Sequence, residues 1–175
     1  MTIALIWGST PAERAQTFPC DSVLTEADAA YFRAVTVDAP VAVVFRWLCQ
    51  LRVAPYSYDW IDNWGRPSPP TLTPGLENLR VGQTVMTMFR LASFASNVHV
   101  TLQAVLLKRL FGELAVSYCI QAASPNCTPL IVKLRVRYPR GPLGWLMRLV
   151  LPWGDWVMMR RQLLNLKSLA EKPQS

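Results

Sequence analysis

Histidine occurs once in this chain, at His99, and acidic residues are few, 11 against 18 lysines and arginines. The four cysteines, Cys20, Cys49, Cys119 and Cys127, form no Cys-x-x-Cys pair and keep no metal-type spacing to that histidine. No metal site is therefore expected, and the thiols are read as reduced, in a cytoplasmic protein. A Ser, His and Asp grouping is missing, and so is a Gly-rich phosphate loop. Gly8-Ser-Thr-Pro11 and Gly141-Pro-Leu-Gly144 contain glycine without a cradle pattern, and no cofactor is expected. The apolar start, Met1 to Trp7, lacks a basic segment and stops at Gly8, which argues against a cleaved signal. The longest apolar segment, Leu143 to Trp153, is interrupted by Arg148 and Pro152 and is too short to cross a bilayer of about 30 Å.

What is present is apolar and aromatic. Hydrophobic residues make up 51% of 175 residues, and seven are tryptophans. A chain of this length suits one domain with a sizeable core. The tryptophans exceed what a minimal core needs, so they either line a pocket or fill a large aromatic interior. The formal charge of +7 raises the question of nucleic acid. Basic residues are dispersed, however, and the one concentration, Lys133, Arg135, Arg137 and Arg140, begins on alternate residues of a strand whose other face is Leu130, Val132, Leu134, Val136 and Tyr138. That pattern reads as a solvated sheet face, and no nucleic-acid partner is expected.

Periodicity supplies the elements. Val35 and Val37 suit a strand over 31–37; Asp38 and Pro40 then start a helix with Val41, Val44, Phe45, Leu48 and Leu51 on one face. Further strands are expected at 83–90, 98–104, 114–121 and 130–138, forming an antiparallel sheet. The 98–104 strand should turn Val98, Val100, Leu102 and Ala104 inward and His99, Thr101 and Gln103 outward. Proline density makes 66–74 a loop and 124–129 a turn. Pro152 and Gly154 are expected to break the last helix, leaving Asp155 to Ala170 with an apolar stripe of Trp156, Met159, Leu163, Leu166 and Ala170, widened by Val157 and Leu164. Arg160 and Lys167 fall near the middle of that arc. Either they face a wet cavity, where a cation could anchor an acidic head group, or they snorkel past the sheet edge.

The strand, then Asp38-Ala-Pro40, then Val44-Phe-Arg-Trp-Leu48 and Tyr56-Ser-Tyr-Asp-Trp60, resembles the SRPBCC superfamily of START-like lipid-transfer and polyketide cyclase-like proteins. Leu76 to Gly82 resembles the turn into its second strand, and Met158 to Glu171 its closing helix. The resemblance implies an α+β helix-grip fold, a curved antiparallel sheet wrapped around a long C-terminal helix, with a cavity between them. It places a ligand-binding domain at 31–172 behind an N-terminal extension at 1–30.

The aromatic loop from Tyr56 to Trp64 is the first functional suspect, because tyrosine and tryptophan combine apolar surface with one hydrogen-bonding handle. The expected ligand contacts are Tyr56, Tyr58, Trp60, Trp64, Met88, Tyr118, Trp156, Met159 and Arg160. By the resemblance, Asp59 and Tyr58 are the candidate catalytic residues, with Asp62 a second acid. The leading reading is a binder or carrier of a hydrophobic small molecule of lipid, isoprenoid or polyketide type, favoured over an enzyme. One alternative is a polyketide cyclase or dehydratase-like enzyme. The other is a peripheral protein making transient membrane contact through Trp145, Leu146, Leu149, Leu151 and Trp153 with Arg140 and Arg148. Ligand identity and oligomeric state stay open.

Overall fold

The computed structural model describes residues 2–62, 65–106 and 108–173. In chain order its elements are β1 (Ile6–Trp7), α1 (Pro11–Arg14), α2 (Cys20–Val23), β2 (Ala29–Val37), α3 (Val41–Cys49), α4 (Asp59–Asp62), β3 (Thr84–Val85), β4 (Phe89–Ala95), β5 (His99–Ala104), α5 (Lys108–Phe111), β6 (Glu113–Ile120), β7 (Thr128–Arg137) and α6 (Pro142–Ala170). The strands form one curved, seven-stranded sheet in the order β1-β2-β7-β6-β5-β4-β3. β1 pairs with β2 in parallel, and every other neighbouring pair is antiparallel.

Register follows from alternation, because a slip of one residue would turn each strand's apolar set to the wrong side. Tyr31 lies opposite Leu134, and Val116 opposite both Leu134 and Leu102, so these buried side chains share the inner face. Against that face pack Val44, Phe45 and Leu48 of α3 and Leu163, Leu166 and Ala170 of α6 in one continuous core. Each fully buried leucine contributes about 1.5–3 kcal/mol relative to exposure, so α6 is held mainly by its last turns. Lys167 closes the end of the helix: its Nζ donates to the Thr36 carbonyl and sits 2.6 Å from Glu171, beyond the sheet edge as a snorkelling side chain would.

The outer face is not the solvated surface the basic alternation suggested. The segment 18–24 folds back over it, and Phe18, Cys20 and Leu24 make a second small core with Ala34, Ala115 and Ile131. Lys133 is buried there, 2.7 Å from Asp21, and its ammonium lies 5.2 Å from the Phe18 ring centre and 5.5 Å from that of Phe32. Arg135 shares the same carboxylate at 2.8 Å. Thr101 is buried for the same reason, in a hydroxyl pair with Ser117, whose Oγ also accepts from the Cys20 backbone N–H. Gly8 permits the close approach: its φ is +77°, and a Cβ there would stand 2.0 Å from the Ala34 carbonyl oxygen.

Four local expectations change. Residues 83–90 are a hairpin rather than one strand, because Met86 and Thr87 take left-handed φ angles of 46° and 54° between β3 and β4. Val98 is exposed in the turn before β5. Asp38 does not cap α3, whose start at Val41 has no side-chain cap. The last helix is also longer than expected: it runs 29 residues through Pro152, with Asp155 and Gln162 inside its sheet-facing stripe and Val157 exposed outside it.

Candidate functional site

Arg33 breaks the apolar pattern of the inner face. It stands on β2 between Tyr31 and Val35, opposite Val132, and only 1% of it is exposed. Its Nη2 donates to Asp155 Oδ2 on α6 at 2.7 Å and to the Ala4 carbonyl at 2.7 Å, while Nη1 donates to its neighbour Phe32's carbonyl at 2.9 Å. Moving two charges out of water costs several kcal/mol per ion, and mutual attraction often only breaks even with that cost. Burial therefore wins at the acid: despite the guanidinium beside it, the Asp155 carboxyl is pushed up to about 6. Burial also lowers Arg33, opposed by Asp155, yet a guanidinium stays protonated.

Tyrosines surround this pair. Tyr31 and Tyr138 share a hydroxyl–hydroxyl hydrogen bond of 2.6 Å, and Tyr118 donates to Gln162 Oε1 at 2.7 Å. Burial first, then the hydrogen bond to Tyr138 and the charges of Tyr138 and Asp155, raise Tyr31; burial and then Asp155 raise Tyr118. Both phenols thus stay neutral across the working pH range. Gln162 continues the chain by donating from Nε2 to the Pro55 carbonyl at 2.6 Å. Asn165 donates to the Tyr56 carbonyl at 2.9 Å, and Ser57 donates to the Met158 carbonyl at 2.9 Å. These bonds staple residues 55–57 onto α6. They hold Tyr56 at a φ of 55°, a conformation that a bulky residue adopts only when its surroundings impose it.

Four buried donors on β2, α3, the segment after α3 and α6 have no hydrogen-bond partner among the described residues: Arg33 Nε, Trp47 Nε1, Tyr56 Oη and Trp156 Nε1. Each such group forfeits about 1–3 kcal/mol. Trp47 and Tyr56 meet edge to face with ring centres 6.0 Å apart, so two of the four adjoin.

The expected contact residues divide between seam and surface. Tyr56 and Tyr118 are fully buried on the seam, and Met159 and Trp156 are half-buried on α6, the Met159 sulfur 3.8 Å from the Tyr118 hydroxyl. Trp60 is 76% exposed, and Arg160 is exposed with its guanidinium 5.6 Å from the Trp7 ring centre, so neither reaches the interior. Met88 sits in the β3–β4 turn; it is Met86 whose sulfur meets Gln162, at 3.8 Å. Asp59 does not face the interior as an acid catalyst would: it accepts from the Ser68 backbone N–H at 2.8 Å and hydroxyl at 2.5 Å, which ties down the proline-rich loop. Tyr58 lies under the Arg161 guanidinium at 5.9 Å. These residues line an open groove of about 450 Å³ with Ser57, Trp60, Gly65 and Pro67. Trp64 and the Asp62 side chain lie outside the described residues.

Other chemistry recedes. His99 is on the outer face, its pKa lowered by burial, with Ser93 Oγ at 3.4 Å. All four cysteines are free, and burial pushes Cys49 and Cys119 up to about 12, which leaves them poor nucleophiles. Among the described residues no cluster of His, Cys, Asp and Glu could hold a metal ion.

Arg33, Asp155, Tyr31 and Gln162 escaped the sequence reading because their neighbours are ordinary. A signal existed for Arg33, a charge in register with Tyr31, Val35 and Val37 on the buried side of a strand.

No protein-family model and no curated protein matches the sequence. Solved structures do match. The chain is similar to a protein from Chromobacterium violaceum at 12% identity and a TM-score of 0.53, over 82% of this chain and 98% of that one. It is similar to the Zhui aromatase/cyclase from a Streptomyces species at 14% identity and a TM-score of 0.53, over 81% and 93%. A third match, the di-domain ARO/CYC BexL, has 16% identity and a TM-score of 0.50, over 81% of this chain and 46% of that one. What they have in common with it is architecture: a curved antiparallel sheet gripping one long C-terminal helix, which is the helix-grip fold.

Proposed function

We propose that the chain binds a neutral, oxygen-bearing hydrophobic small molecule at the seam between the inner sheet face and α6. The observation that carries this reading is the set of unpartnered buried donors, Arg33 Nε, Trp47 Nε1, Tyr56 Oη and Trp156 Nε1, in and beside a core that is otherwise mostly aliphatic and aromatic. Donors without acceptors select a guest with carbonyl, ether or phenol oxygens on an apolar frame. The Arg33 charge is already matched by Asp155, so a carboxylate gains little there and a neutral polyketide or isoprenoid gains most. Native mass spectrometry of gently purified protein, with thermal-shift titration of quinones, polyketides and fatty acids, tests this. A co-purified apolar mass, or a melting temperature raised by neutral oxygenated compounds, is expected. Replacing Trp156 by Phe, which keeps the ring and removes the donor, should weaken that binding roughly two- to tenfold. No co-purified molecule and no stabilising compound would remove the proposal.

A second reading, proton transfer on such a guest, rests on Asp155 alone. A carboxyl held near 6 beside neutral phenols is poised to exchange protons near neutrality. Turnover of a poly-β-ketone probe that disappears in Asp155→Asn, while binding persists, would support catalysis over carriage.

A further inference from the structure

The first half of α6 has two apolar sides. One packs on the core through Gly144, Met147 and Pro152. The other carries Trp145, Leu146, Leu149, Val150, Trp153 and Val157, which at 100° per residue occupy one continuous arc. Trp145 is 66%, Leu149 53% and Trp153 50% exposed. Leu151, expected on this arc, packs instead against the core. α5 lies against α6 and carries exposed Leu110, with exposed Leu106 just before it. A soluble monomer rarely leaves a patch of this extent open without a partner for it.

Charge identifies the partner. Along α6 from 142 to 160 the single acid is Asp155, and it turns inward to Arg33. Lys108 and Arg109 are exposed on α5, and Arg140 and Arg148 line a groove of about 470 Å³ with Trp145 and Arg137, the last already paired with Glu26 at 3.0 Å and Glu113 at 3.7 Å. Asp28 is the one acid in that groove, 3.3 Å from Arg148. Arg148 is held over the Tyr138 ring at 5.0 Å, and Arg140 has no partner among the described residues. Tryptophans at the edge of an apolar face with arginines beside them match the boundary between acyl chains and anionic head groups. A second copy of the chain would bring like charges together.

We propose that the first half of α6, with α5, docks on an anionic phospholipid bilayer, lying in the interface with Arg140 and Arg148 on the head groups. Among the described residues no helix is long and apolar enough to cross a membrane, so the contact is peripheral. It stands independently of the guest at the seam.

Flotation of the full chain with phosphatidylcholine vesicles, with and without phosphatidylglycerol, at low and high salt, tests this. Binding should require phosphatidylglycerol, fall with salt, and shift tryptophan emission to the blue. The triple variant Trp145→Ser, Leu149→Ser, Trp153→Ser should lose binding at an unchanged melting temperature. Arg140→Gln should weaken binding roughly fivefold, the factor expected for one cation near an anionic surface. No flotation with phosphatidylglycerol at low salt would overturn the proposal. So would a wild-type dimer that the triple variant converts to monomer without any vesicle binding.

Discussion

Replacing Arg33 and Asp155 singly and together separates what the buried pair does for stability from what it does for a guest. Asp155→Leu strands a guanidinium that is 1% exposed and cannot discharge its proton. Breaking a buried pair on one side costs about 3–5 kcal/mol, which in a chain of this size lowers the melting temperature by roughly 6–20 °C. Arg33→Met should cost less, because the abandoned Asp155 can take up a proton. The double variant, Arg33→Met with Asp155→Leu, removes both desolvation penalties and should match or exceed the wild type, by up to about 4 kcal/mol. The pH dependence carries its own sign. Asp155 holds its proton up to about 6 in the folded chain against about 3.9 unfolded. The folded state therefore binds more protons across that window, and stability falls as pH rises from 4 to 6 by about 3 kcal/mol. That slope should vanish in the double variant. Urea denaturation of all four proteins at pH 4, 6 and 7 reads every quantity. Single-variant losses that simply add in the double variant would refute the coupling.

Gly8→Ala should cost about 1–3 kcal/mol by thermal denaturation, since its φ is +77° and the new Cβ would meet the Ala34 carbonyl oxygen at 2.0 Å. Tyr118→Phe leaves Gln162 Oε1 without its 2.7 Å donor and should lose about 1–3 kcal/mol in urea. On the outer face, burial works to raise Asp21, but bonds from Lys133, the Phe18 N–H and Arg135 override it and hold the carboxyl low. The stability it confers is present above the unfolded value of about 3.9 and is lost as pH falls through the lower folded value. Asp21→Asn should therefore cost about 1.5–3 kcal/mol at pH 7 and flatten the acid limb of the unfolding profile.

Strands and helices were legible where one side of an element faces the core. Leu130 to Tyr138 and Leu114 to Ile120 alternate cleanly, and the structure pairs them in that register. The outer face was misread because alternation distinguishes two sides without saying what covers the second one. Phe18 and Asp21 lie far from Lys133 in sequence and meet it only in the fold. The candidate site was half visible. Tyr56, Tyr118, Trp156 and Met159 stood out as aromatic or sulfur-bearing residues, whereas the Arg33–Asp155 pair depends on β2 and α6 meeting. Pro152 hid the length of α6, since a proline inside a periodic stretch ordinarily ends the helix before it.

Indole N–H resonances test the central claim most directly, because the Trp47 and Trp156 Nε1 atoms are buried without partners while Trp60, Trp145 and Trp153 are exposed. During titration with a neutral quinone, the Trp47 and Trp156 signals should shift together and saturate. Shifts confined to the exposed tryptophans, or none at all, would contradict a guest between sheet and helix.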